Sequence, residues 1–154
     1  MKGRLACLRF MREGPDPCPW NAKACEGAAL KGQLDCLRFM REGPDPCPWD
    51  ASTWSSAACC EDDVVESVLE FLQANGCPRG GAERDCETMY DVAVHPYGTL
   101  KDRLKVLRWF REKARFKWWK DQLVKSRFRF YREVGDYISS APDIEGDNMD
   151  EAGE

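Results

Sequence analysis

Residues 2–21 read KGRLACLRFMREGPDPCPWN, and residues 31–50 read KGQLDCLRFMREGPDPCPWD. The offset is 29, and 17 of the 20 pairs are identical. No other feature constrains the fold as strongly. Two near-identical stretches take one local structure, and units of about 20–50 residues stack so that neighbours bury what one unit cannot. Two looser copies follow. VVESVLEFLQANGCP at 64–78 keeps an apolar helix, a Gly and the Cys-Pro pair, and at 88–112 a short helix, a turn and the stripe Leu104, Leu107, Phe110 return.

Each unit reads as two helices. Asn21 is a good N-cap and opens a short helix through Leu30, whose inner positions Ala24, Cys25, Ala28 and Ala29 are small enough to let helices approach closely. Gly32 breaks the chain, and a second helix runs from about Leu34 to Glu42, with Leu34, Leu37 and Met40 on one stripe beside Cys36 and Phe39. Gly43 is expected to take the left-handed conformation that ends a helix, and Pro44 stops continuation. Three prolines stiffen the loop GPDPCPW. Trp20 with Cys25, and Trp49 with Trp54, stand at the N′ and N4 positions of a hydrophobic staple. Cys-Pro-Trp-Asx thus has a structural task that needs no chemistry.

The string AALKGQLDCLRFMREG…CPWD resembles ankyrin repeats, above all the divergent Cys-Pro-Trp-Asp class of large DNA viruses and algae. The resemblance covers about residues 1–112. The Thr-Pro-Leu-His tetrapeptide is absent and the period is 29 rather than about 33, so tandem helical hairpins of another family stay open as the fold. The resemblance implies protein binding through loop tips and the exposed face of the short helices. Here that surface comprises Lys23, Glu26, Ser52 and Ser55 on helices and Asp16, Asp45 and Asp50 in loops; any one of them taken alone reads more readily as an ordinary solvated residue, and the expectation attaches to the surface rather than to a single side chain. Met1 aligns with Leu30, so the first unit starts at its second helix, and Leu5, Leu8 and Met11 are expected to lack a covering partner. The expectation drawn from this alignment is a fragment, with another copy upstream.

The net charge of −4 conceals three regions. Residues 1–100 sum to −6, residues 101–132 to +10 and residues 133–154 to −8. Between Thr99 and Glu133 there is neither Gly nor Pro, which predicts a helix to about residue 114, a kink, and a further helix to about 133. One reading makes residues 113–138 a cap on the repeats. The other makes them a binding surface, since Arg115, Lys117, Trp118, Lys120, Lys125, Arg127 and Arg129 mix cations with an aromatic ring. Cations attract phosphates and rings stack on unpaired bases, while a basic amphipathic helix also suits anionic membranes. Residues 139–154 are polar and acidic and are expected to be disordered; folded back, they would neutralise the basic helix until a partner displaces them.

No catalytic constellation emerges. Cys7 with Cys36, and Cys18 with Cys47, are repeat equivalents, which favours packing over reactivity. Cys77, Cys86 and His95 are spaced nine and nine, unlike common zinc sites, and the lone His95 sits in the turn sequence HPYG. No phosphate loop, dinucleotide fingerprint or nucleophile elbow occurs. Nine cysteines without an export signal point to reduced thiols in cytoplasm or nucleus. The expected protein is all-α: an ankyrin-like solenoid with a basic C-terminal helix, no enzyme activity, no metal and no cofactor. Its expected partner is another protein, or alternatively nucleic acid or an anionic membrane through residues 101–132, and no run of residues is long and apolar enough to span a bilayer.

Overall fold

The computed structural model describes residues 2–60, 64–94, 99–115, 136 and 140. Among them are seven α-helices and no strand: α1 (Lys2–Glu13), α2 (Ala22–Leu30), α3 (Leu34–Glu42), α4 (Ser52–Ala58), α5 (Val65–Ala74), α6 (Ala82–Val94) and α7 (Leu100–Glu112). The all-α expectation therefore holds for the described chain. Two compact units divide it, Met1–Gly80 and Gly81–Glu154.

In the first unit α2 and α4 pack on each other, and α3 lies between α1 and α5. Small residues explain the first contact, because Cys25, Ala28 and Ala29 of α2 and Ala57 and Ala58 of α4 are all buried. Helices α3 and α5 bring bulk. Leu37 and Met40 of α3 and Val68, Leu69 and Leu72 of α5 are sealed from solvent, at the i, i+3, i+4 spacing that builds one apolar helix face. Among the described residues Trp54 is the largest side chain sealed almost completely from solvent, and its indole N–H donates to the Cys77 carbonyl at 3.2 Å.

Local sequence sets the helix ends. The Asn21 side chain accepts from the Lys23 amide, and the Asp50 carboxylate accepts from the Ser52 amide in the same manner, one residue ahead of the geometric N-cap Ala51. Gly32 has φ +60 where α2 turns into α3, a conformation in which a Cβ is strained. Gly43 departs from expectation. Its φ is −78 and ψ 170, so α3 leaves its last turn in an extended direction. The proline that follows favours that geometry, because its ring disfavours helical or turned backbone in the preceding residue.

In the second unit α6 packs on α7, with Met89, Val92, Leu107 and Phe110 buried. A capping box opens α7. The Thr99 hydroxyl accepts from the Asp102 amide at 3.2 Å, and the Asp102 carboxylate accepts from the Thr99 amide at 2.9 Å. The helix ends at Glu112, close to the expected residue 114, and Arg115 has φ +49, so the backbone turns where the sequence stripe slips. The helix expected to run on to about 133 and the acidic tail 139–154 lie almost wholly outside the described residues.

Candidate functional site

The duplicated loop is a built connector. The Cys18 amide donates to the Met11 carbonyl at 3.0 Å, and the Cys47 amide to the Met40 carbonyl at 2.8 Å. The guanidinium of Arg12 donates to the Cys18 carbonyl and lies over the Trp20 ring, 4.2 Å from its centroid. Arg41 repeats this, donating to the Cys47 carbonyl and lying 4.1 Å from the centroid of Trp49. In the looser third copy the Cys77 amide donates to the Leu72 carbonyl at 3.0 Å, while Gln73 and Arg79 replace the arginine and tryptophan.

Each connector also reaches the next copy. Trp20 meets Phe39 edge-on at 6.3 Å between centroids, and Trp49 meets Phe71 edge-on at 6.2 Å, an arrangement that aromatic quadrupoles favour. The sequence pattern assigned these indoles to a staple within their own helix; their recorded ring contacts run to the following copy. The Cys47 thiol donates to the Asn21 carbonyl at 3.3 Å, and the Cys77 thiol to the Asp50 carbonyl at 3.5 Å. Arg12 pairs with Asp45 in the loop of the following copy.

Burial decides the state of these thiols. It pushes Cys25 far up, reinforced by hydrogen bonding with Cys47, and it raises Cys36 and Cys47. Cys77 is pushed up to about 12 by burial. A thiolate is the nucleophile and the metal ligand, so at neutral pH these groups act as small apolar side chains with a weak donor. Among the described residues no group of three or more His, Cys, Asp or Glu is arranged to hold a metal ion. His95 lies outside them.

The expected partner-binding residues fall into two sets. Asp16 and Asp45 are exposed at the Pro-Asp-Pro tips, and Asp50 is exposed at the start of the next unit. On the helices, Lys23 is exposed and its ammonium is held by the Glu26 carboxylate at 2.8 Å, which raises its pKa. Ser52 and Ser55 are half-buried on α4. Four of these residues therefore already have intramolecular tasks: Asp45 with Arg12, Asp50 at the α4 cap, and Lys23 and Glu26 with each other. Of the basic set, Arg115 is exposed, while Lys117, Trp118, Lys120, Lys125, Arg127 and Arg129 lie outside the described residues. The α7 helix itself exposes Lys101, Lys105 and Arg108.

A groove of about 520 Å³ runs between the first turns of α1 and the α2–α3 turn, with Arg4, Arg9 and Lys31 outnumbering Asp35 on its walls. The sequence reading passed over this groove and both connector arginines. The arginines had left a signal, since each stands eight residues before its tryptophan in both tight copies.

With the geometry in hand, the comparisons add no relative: no family model, no curated protein and no solved structure matches the chain.

Proposed function

We propose that this chain is a non-catalytic protein-interaction module whose repeats form an ankyrin-like solenoid of helical hairpins. The observation that carries the reading is the Cys-Pro-Trp-Asx connector. It recurs with the same arginine, the same amide bonds and the same contact to the following copy. Such periodic linkage makes each unit a spacer for the next and leaves loop tips and short-helix faces to vary, which is how repeat scaffolds recognise proteins. The buried, protonated thiols are consistent with packing rather than chemistry. The partner is another protein, met in the cytoplasm or nucleus, where reduced cysteines are the norm.

A second reading has its own observation. Residues 101–132 sum to +10, and α7 presents Lys101, Lys105 and Arg108 outward. Nucleic acid or an anionic membrane is the ligand this surface would take.

One experiment separates the two. The full chain, a triple variant Asp16→Lys, Asp45→Lys, Asp50→Lys and a variant with Lys117, Lys120, Lys125, Arg127 and Arg129 changed to Gln are used as bait in nuclease-treated lysate at low and moderate salt. Protein capture that resists salt and is lost in the loop variant supports the repeat reading. Capture lost in the basic variant, with nuclease or with salt, replaces it with the second, because phosphate contacts weaken steeply as salt rises.

A further inference from the structure

The two tight copies differ at only three of their 20 paired positions, and two of the three meet at one place. Asn21 is paired with Asp50, a swap that keeps the cap, since each side chain accepts from the amide two residues on. The other pairs are Arg4 with Gln33 and Ala6 with Asp35, and all four of these residues line the groove of about 520 Å³ between α1 and the α2–α3 turn. The duplication has thus kept its core and connector and changed its surface here. The change sets the charge. Arg4, Arg9 and Lys31 stand against Asp35, three cations against one carboxylate. With the second copy's Gln and Asp at positions 4 and 6, two cations would stand against two carboxylates. Arg9 lies 5.4 Å from the ring centroid of Phe39, which ties the α1 wall to the α3 wall. Among the described residues, none of the three cations is held in an ion pair.

We infer that this groove is a docking site for an acidic peptide segment of a partner protein, in which carboxylates flank one apolar side chain. The inference rests on the reading of the chain as a protein-interaction module and adds a place and a chemistry to it. Arginine forks hold carboxylates through paired N–H donors, and Arg4 and Arg9 are both exposed for that task. Between the charges the groove offers apolar surface: Leu5 and Leu34 are half-buried and Val64 is 37% exposed. The volume lies within the range of about 300–1,000 Å³ usual for ligand clefts. Among the described residues no aromatic ring lines the groove, so nothing there stacks on a base, which favours a peptide over a single-stranded nucleic acid.

The test uses the full chain and the labelled peptide EELEEL, with KKLKKL as its charge-reversed control, read by fluorescence polarisation. The main variant combines Arg4→Gln with Ala6→Asp and so writes the second copy's residues into the first. Both positions are exposed, and circular dichroism verifies the fold. A second variant, Asp35→Asn, removes the opposing charge. The expected result is saturable binding of EELEEL and not of KKLKKL. It weakens about tenfold in the double variant, as for the loss of a charge-assisted pair, and tightens with Asp35→Asn. The loop variant Asp16→Lys, Asp45→Lys, Asp50→Lys keeps it. No saturable binding overturns the groove assignment and leaves the loop-tip reading, judged by lysate capture, standing. Binding unchanged in the double variant also overturns it, since the peptide would then sit elsewhere, as on the basic residues 101–132. A single-stranded oligonucleotide held more tightly than EELEEL, and released by the double variant, would give the groove to nucleic acid and overturn the peptide assignment.

Discussion

The Cys47 thiol donates to the Asn21 carbonyl at 3.3 Å, across 26 residues of chain. Cys77 does the same to Asp50 at 3.5 Å, across 27. The connector cysteine, expected to pack, is therefore also a fastener between successive connectors. Its burial forces the proton to stay, and the retained proton is what the carbonyl accepts.

Thiol reactivity should sort by position in the row of copies and not by local sequence. At pH 8 under native conditions, Cys7 and Cys18 are expected to alkylate first, while Cys25, Cys36, Cys47 and Cys77 stay protected until the protein opens. Residue-resolved mass spectrometry of labelling times measures this. Cys7 and Cys36 labelling at equal rates would contradict the assigned burial.

The same thiols give a pH dependence. The folded pKa of Cys77, about 12, exceeds its reference value of 9.0, so the folded state binds more protons between the two. Stability then falls as pH rises, beginning near 9 and reaching its full loss near 12. Denaturant midpoints between pH 8 and 11 measure the slope, and Cys77→Ala should flatten it.

Replacing Trp54 by Phe keeps most of the buried ring and removes the N–H that reaches the Cys77 carbonyl. The cost is expected at about 1–3 kcal/mol, most of it from the carbonyl left without its donor. Urea unfolding checks it, and a cost near zero would mean that the bond is dispensable.

In the second unit, Thr99→Ala removes one half of the capping box at the start of α7 and is expected to cost about 1 kcal/mol. The partner carboxylate, Asp102, is held below its ordinary pKa first by the Thr99 hydroxyl and then by the Thr99 amide. Its contribution is present above the unfolded value near 3.8 and is lost as pH falls through the lower folded value. The stability difference between the protein and Thr99→Ala should therefore narrow below pH 4, and a difference constant to pH 2 would show that the carboxylate takes no part.

Local elements were legible because local rules set them. Asn21, the small residues of α2 and the i, i+3 stripe of α3 fixed both helices at residues 22–30 and 34–42. Gly43 misled because the rule for a terminal glycine competes with the proline after it, and the proline prevailed. The connector was only half legible. Cys-Pro-Trp-Asx announced a conserved turn between copies, yet the arginine that clamps it and the phenylalanine that receives it lie in other elements and meet it only in the folded chain. Burial of identical residues was legible in part: the register predicted that Leu5, Leu8 and Met11 would lack a cover, and Met11 is exposed while Leu5 and Leu8 are half-buried, but nothing in the heptapeptide shared by Phe10 and Phe39 tells the two rings apart.

That pair supplies the most direct test of the account, which holds that a connector from the preceding copy, and not the sequence around a residue, determines what the residue contributes. Phe39→Ala and Phe10→Ala make the same change in the same local sequence, and urea unfolding of the full chain compares them. The account predicts a loss of about 2–3 kcal/mol for Phe39→Ala, which forfeits the Trp20 contact, and a change within about 0.5 kcal/mol for Phe10→Ala. Equal losses at the two positions would contradict it.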